Sequence, residues 1–190
     1  VITALPAPGG TTGAFNRLNG YSPVFGTGFH AYQDVYIDLT NPAVAANTYG
    51  WDLSTAVSNV SNGHLRDFVF HAATSAGTVV ISGDNGSTFV PVIAGGTTYT
   101  IPSSGWYTFE WNFRNNAGVL AVDLILRNAG GSQVWTKTLS SPADAIAGVG
   151  GNRYMWFTFL AVDELAIDNS RLERNANVAC VAASGSVFPL

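Results

Sequence analysis

The stretch from Gly105 to Leu139 leaves the chain little freedom in how it folds. Apolar side chains recur there at every second position, in runs separated by short turn-forming segments. In the first run Tyr107, Phe109, Trp111 and Phe113 share one face, and Trp106, Thr108, Glu110, Asn112 and Arg114 share the other. In the second, Leu120, Val122, Leu124 and Leu126 alternate with Val119, Ala121, Asp123, Ile125 and Arg127. A period of two over this length is the mark of a half-buried β-strand, because successive side chains leave a pleated backbone on opposite sides. Asn115-Asn116-Ala117-Gly118 and Asn128-Ala129-Gly130-Gly131 supply residues that tolerate positive φ. Three consecutive antiparallel strands are therefore predicted.

The same reading extends outwards. Phe29 to Leu39 alternates, with Phe29, Ala31, Gln33, Val35, Ile37 and Leu39 on one face and His30, Tyr32, Asp34, Tyr36 and Asp38 on the other. Further strands are predicted over Tyr49–Val57, Leu65–Ala73, Thr78–Ser82, Thr88–Ile93, Asn152–Ala161 and Leu165–Leu172, with shorter ones before Gly13 and within Phe15–Phe25, and Tyr99 and Ile101 lead through Pro102 into the three-strand run. Asn152, Tyr154, Trp156 and Thr158 fall in one phase of their strand. Ser140 to Gly151 reads as a loop, with single helical turns at Ala143–Ile146 and Ala43–Asn47. No internal repeat and no sustained helical period is visible. About a dozen strands with turn signals at short intervals predict an all-β, two-sheet antiparallel jelly-roll sandwich. It would form one domain over residues 1–174, followed by an uncharged tail or added edge strand over 175–190.

Composition removes several functions. A chain of 190 residues buries roughly 70% of its unfolded surface and needs no disulfide or metal to fold. With a net charge of −4 and eight scattered Lys and Arg, it lacks the clustered positive charge that nucleic acids and anionic membranes require. No apolar run approaches the ~20 residues of a membrane-spanning helix. Cys180 is the single cysteine, either an inert thiol or an intermolecular partner. Only 11% of residues are charged, and the wealth of Gly, Thr, Ser and aromatics fits a sheet-rich extracellular domain. A start at Val1 without a signal segment is what a trimmed, secreted product would show.

Gly105 to Trp135 resembles the later strands of concanavalin A-like lectin/glucanase domains, including the laminin G-like type. The resemblance lies in Trp106-Tyr107 at a strand start, Asn116-Ala117-Gly118 at a hairpin, Gly130-Gly131-Ser132 before an apolar strand, and Ile167-Asp168-Asn169 with Leu172 at the close. It covers roughly residues 29–173 and implies a jelly-roll sandwich with one concave, carbohydrate-holding sheet. The Glu-x-Asp-x-x-Glu strand of the glucanase branch and the metal-site patterns of legume lectins are missing. No catalytic or metal residue carries over, and the architecture alone assigns no function.

The residues themselves offer several candidate sites. If Asn115–Gly118 closes its hairpin symmetrically, Glu110 lies opposite Asp123, with side chains roughly 5 Å apart. Two carboxyls at that distance could divide acid and nucleophile roles at a glycosidic bond. Alternatively Asp123 simply pairs with Lys137 across the next strand. Tyr32, Tyr36, Trp106, Tyr154 and Trp156 occupy the non-core phase of their strands, with Asp34, Asn112, Arg114 and Asn152 as polar companions. Sugar rings stack their C–H faces on aromatics while their hydroxyls seek amides and charges, so this set suits a neutral glycan. Rings packed under loops are the alternative. Arg66 with His71, near His64 and Asp67, could serve β-elimination of an acidic polysaccharide, or His71 could be structural. Three histidines without metal-type spacing give no zinc site. Gly83-Asp84-Asn85-Gly86-Ser87 and Val162-Asp163-Glu164 are oxygen-rich and could take Ca2+, although neither has the twelve-residue calcium pattern. No cofactor is otherwise implied.

The leading expectation is a secreted carbohydrate-binding or adhesion module with a polysaccharide or glycan ligand. A glycoside hydrolase or polysaccharide lyase using Glu110/Asp123 or Arg66/His71, and a self-associating extracellular structural protein, are the alternatives.

Overall fold

The computed structural model describes residues 2–3, 13–18, 20–41, 50–75, 77–85, 97–162 and 164–175. Within these lie β1 (Ile2–Thr3), β2 (Phe15–Asn16), β3 (Phe29–Ile37), β4 (Trp51–Asn59), β5 (His64–Ser75), β6 (Thr78–Asp84), β7 (Tyr99–Thr100), β8 (Gly105–Asn116), β9 (Val119–Asn128), β10 (Gln133–Ala145), β11 (Val149–Leu160) and β12 (Glu164–Arg174). They form two antiparallel sheets of jelly-roll type. The first runs β1-β12-β3-β8-β9-β10 and the second β2-β11-β4-β5-β6-β7. The expected strand over Thr88–Ile93, the helical turn at Ala43–Asn47 and Cys180 lie outside the described residues.

The alternation found in the sequence builds the interior. Phe109, Trp111 and Phe113 of β8 are fully buried, as are Phe29, Val35, Val122, Leu124 and Leu126 of its neighbours. The second sheet answers with Phe68, Phe70, Leu53, Val57 and Phe157. Phe70 sits edge-on to Phe109 at 5.0 Å and to Trp111 at 4.8 Å between ring centroids. This edge-to-face arrangement matches the ring quadrupoles and adds to plain area burial. The Trp111 indole N–H donates to the Phe68 carbonyl at 2.9 Å, so the largest core ring keeps its polar atom satisfied and ties the sheets together.

Three sequence expectations need correction. Ala117 and Gly118 both take positive φ, 52° and 89°, which makes the β8–β9 connection a two-residue turn of the kind that matches strand twist. The last pair is therefore Asn116 with Val119, and Glu110 faces Ile125 while Asn112 faces Asp123. The assumed four-residue turn had displaced the register by two. Opposite Asp123 on the other side stands Thr138 rather than Lys137, and Lys137 donates to the Gly83 carbonyl of the other sheet at 2.7 Å.

Second, the predicted loop from Ser140 to Gly151 is largely strand. β10 runs through Ala145, a three-residue 3-10 turn covers Ile146–Gly148, and β11 begins at Val149. Third, β11 does not keep one phase. Its pairing with β4 slips between Val149 and Asn152, between Asn152 and Tyr154, and between Phe157 and Phe159. Each slip inserts a residue and turns the following side chains over. Asn152 thereby leaves the face of Tyr154 and becomes buried at 1% exposure, donating to the Gly20 carbonyl and accepting from Arg174.

β12 carries a similar bulge between Asp168 and Arg171. Asn169 adopts φ 52° there, its amide donates to Asp34, and the Ser170 hydroxyl bonds the buried Gln33 carbonyl oxygen. One extra residue thus supplies partners to both faces of β3.

Candidate functional site

The outer face of the first sheet gathers most of the sequence-nominated residues. On β3 these are Tyr32, Asp34 and Tyr36; on β8, Trp106, Glu110, Asn112 and Arg114; on β9, Asp123. Strand periodicity alone places them together, since β3 and β8 pair without a slip from Phe29–Phe113 to Ile37–Gly105.

Two carboxylates anchor this face. Glu110, at 3% exposure, accepts from His30 Nδ1 at 2.8 Å and Arg127 Nε at 2.7 Å. Asp123 accepts from Arg114 at 2.7 and 3.0 Å, from Thr138 at 2.7 Å and from Asn112 at 3.2 Å. Burial pushes both acids up, but the donors and positive charges around them win and hold both below the usual carboxylate range. Register makes the pair diagonal neighbours, about 7–8 Å apart, a spacing that would by itself suit an inverting hydrolase. The charge states do not suit it. Such chemistry needs one carboxyl kept protonated by its surroundings, and here both are held ionised with their lone pairs committed to arginine.

Tyr32 lies flat against His30 at 5.8 Å, with the Arg171 guanidinium 4.1 Å above its ring. Burial first, then the charges of Glu110 and Glu173, push its hydroxyl up to about 12. Asp34 accepts from Thr108 and Asn169, each at 2.6 Å. Beyond this network, at the end of the face, Tyr36 and Trp106 form an edge-to-face pair at 5.5 Å. They remain 38% and 40% exposed. Tyr36 also borders a cavity of about 250 Å³, which Trp51, Asp38 and Asn41 help to line.

Tyr154 and Trp156 are elsewhere. They belong to the second sheet and sit on its outer side with Phe15, at centroid distances of 5.2 and 6.1 Å from it. The single aromatic patch expected from the sequence is thus two patches, one on each sheet. Asn152, buried and committed to backbone and Arg174, belongs to neither.

Asp67 organises the second patch. It accepts from Ser54 at 2.8 Å, His64 at 2.7 Å and the Tyr154 hydroxyl at 3.2 Å. Burial, then Asp67's charge, raises the Tyr154 hydroxyl pKa. His64 stacks on Tyr154 with 5° between the planes, so a residue the sequence left at a strand's start is part of the cluster. The Arg66/His71 pairing is not formed. Arg66 binds Asp144 at 2.8 Å. His71, 2% exposed, donates from Nδ1 to Asp52 at 2.7 Å and stands 3.3 Å from Asp84. The longer contact is an ion pair rather than a well-directed hydrogen bond. Burial lowers the imidazole's proton affinity, but the two carboxylates overcome it and raise His71 to about 9. A buried imidazolium of this kind is no base for β-elimination.

Among the described residues no group of three or more His, Cys, Asp or Glu gathers to hold a metal. Gly86, Ser87 and Asp163, on which the calcium reading also rested, lie outside them. No described helix is long and apolar enough to cross a membrane.

No protein-family model matches the chain, and no curated protein matches it by sequence. Among solved structures it is similar to the CBM2 module of the evolved Dit of Lactobacillus casei BL23 phage J-1, at 9% identity and a TM-score of 0.43. That likeness covers 77% of this chain and 57% of the module, so the chain spans little more than half of it. It is also similar to congerin II liganded with lactose and MES, at 11% identity and a TM-score of 0.34, over 84% of this chain and 98% of that one. At this overlap nothing about ligand or site is transferred from either.

Proposed function

We propose that the protein is an extracellular carbohydrate-binding module of concanavalin A-like type, and that it binds a neutral glycan on the outer face of its first sheet. The observation that carries this reading is the exposed Tyr36–Trp106 pair at the end of a half-exposed polar face. An exposed tryptophan held edge-on by a tyrosine presents an apolar plane whose orientation is already fixed. A sugar ring stacking on it therefore costs little ordering. Asp34, Thr108 and Asn169 lie next along the face, pre-bonded to one another, and offer hydroxyl partners without rearrangement.

Glycan-array binding of the full chain and two variants tests the reading. Trp106→Ala is expected to weaken retention at least ten-fold, and Trp156→Ala to leave it within two-fold. Trp106→Ala, a surface change, is expected to move Tm by about 2 °C or less. Equal losses in both variants, or none in Trp106→Ala, would contradict the assignment.

A second reading, self-association, is favoured by one feature. β10 is thirteen residues long and ends its sheet among the described residues. Its lysine, the residue type that usually guards such an edge, is turned onto Gly83 of the other sheet. Concentration-dependent sedimentation that Gln133→Pro reduces would support this reading; a monomer at every concentration would remove it.

A further inference from the structure

Four of the seven arginines stand in ion pairs: Arg66 with Asp144, Arg114 with Asp123, Arg127 with Glu110 and Arg171 with Glu173. In a chain with a net charge of −4, that is the expected state of a cation. Arg17 and Arg153 depart from it. Both guanidinium groups lie over the ring of Tyr21, at 5.2 and 4.3 Å from its centroid. Among the described residues neither is joined to a carboxylate. The only acidic side chains outside those residues belong to Asp163 and Glu164. They follow the far end of β11, whereas Arg153 stands near its start.

The fold sets this pair up through the irregularity of β11. Its pairing with β4 passes from Asn152–Val57 directly to Tyr154–Ala56, so Arg153 is the extra residue of a bulge. In a regular strand Arg153 and Tyr154 would point to opposite faces; the bulge re-aims one of them. The Arg153 guanidinium accordingly stands 6.0 Å from the Tyr154 ring. Its Nη1 donates to the Asn62 carbonyl at 2.9 Å, which fixes its direction. Its Nε is sealed inside the protein, whereas Nη2 is neither sealed nor bonded. Arg17 is exposed, and its contact is the Tyr21 ring. Asp67, the acid of this patch, is already engaged by Ser54, His64 and the Tyr154 hydroxyl. Two guanidiniums against one carboxylate leave a positive surplus on an otherwise acidic protein. Beside it Phe15, 46% exposed, stands 5.2 Å from Tyr154 and 6.1 Å from Trp156.

We propose that Arg17 and Arg153 bind the carboxylate of a uronate residue in an acidic glycan, and that Phe15 carries the adjoining sugar ring. This is a second site, on the other sheet from Trp106 and for a different class of sugar, and it does not depend on the Trp106 reading. A guanidinium fork matches the planar carboxylate, and such charge-assisted bonds are the strong ones. Two like charges over one ring repel each other, and a bound carboxylate offsets that repulsion. The exposed phenyl ring suits the C–H face of a sugar. The surplus fits a single negative charge; two guanidiniums are too few for the phosphate run of a nucleic acid.

The test uses the full chain, labelled with 15N and assigned. It is titrated with trimers of D-galacturonate and of D-mannuronate, with a hyaluronan tetrasaccharide, and with the methyl esters of the same oligomers. At least one acidic oligomer is expected to move the amide signals of Arg17, Tyr21, Arg153 and Tyr154, and its uncharged ester to leave them in place. Arg17→Gln and Arg153→Gln are each expected to weaken that binding about ten-fold, the loss that removal of a hydrogen bond to a charged group brings. Arg171→Gln, on the first sheet and already paired, is expected to stay within about two-fold. Arg17 is exposed, so Arg17→Gln decides the matter even where Arg153→Gln fails to fold. Unchanged binding in Arg17→Gln, an equal response to the ester, or no movement of these signals with any acidic oligomer would overturn the site. Tighter binding of a sulfated galactose oligomer would overturn the choice of carboxylate. Each of these outcomes leaves the Trp106 stacking site untouched.

Discussion

The two outer faces of the sandwich carry similar residues and treat them in opposite ways. On the first sheet, Glu110 and Asp123 sit among arginines that are themselves about one-third exposed. On the second, β4 is buried on both sides: Asp52 is 2% exposed, and Ser54, Ala56 and Ser58 are at 0%. Its acid–imidazole pair, Asp52 with His71, is removed from water. The first face behaves as a wired but open surface, and the β4 strip of the second as an additional polar core. Alternating polar residues mark which side of a strand turns away from the main interior. They do not say whether that side meets solvent.

This contrast predicts a graded series. Asp52→Ala leaves His71 buried with only the longer Asp84 contact, and is expected to cost about 3 kcal/mol in urea unfolding. Glu110→Gln removes the charge and one acceptor oxygen that His30 and Arg127 share, and about 1–2 kcal/mol is expected. Arg114→Ala breaks a more exposed pair and is expected to cost about 1 kcal/mol or less. If Arg114→Ala proves as damaging as Asp52→Ala, the two faces do not differ as described.

The same contrast carries a pH dependence. His71 titrates at about 9 in the folded chain, against 6.5 ordinarily. Its folded value is raised, so its contribution is complete below about pH 6.5 and is lost as pH rises through about 9. Burial pushes Asp52 up in turn, with His71 opposing it. The stability advantage of the wild-type chain over His71→Gln is therefore expected to shrink between pH 6.5 and 9.5 in parallel melts. A constant or growing advantage over that window would show that the imidazolium is not held by its carboxylates.

Much of this could be read from residues alone. The period-two runs of β3, β8 and β9 marked the core residues correctly, because burial of one strand face is a local pattern with a global consequence. Trp106 and Tyr36 were placed on one outer face for the same reason. The Glu110–Asp123 opposition was misread because Ala117, not asparagine, takes one of the two positive-φ positions of the turn. A non-glycine, non-asparagine residue gives little warning of that conformation. Asn152 was misassigned because bulges leave no regular trace in sequence. Nothing around Trp51 indicated that a core tryptophan would border a cavity.

The chain's alternation determined on its own that the protein would be two-layered and all-β, and which side chains would line the interior. Tertiary structure decided how the aromatic residues were shared out. Tyr36 and Trp106 meet because β3 and β8 are neighbours, whereas Tyr154 and Trp156 lie on the other sheet. A strand's periodicity is set by its own backbone. Which strands become neighbours, and which faces are covered, depends on packing between segments far apart in the chain.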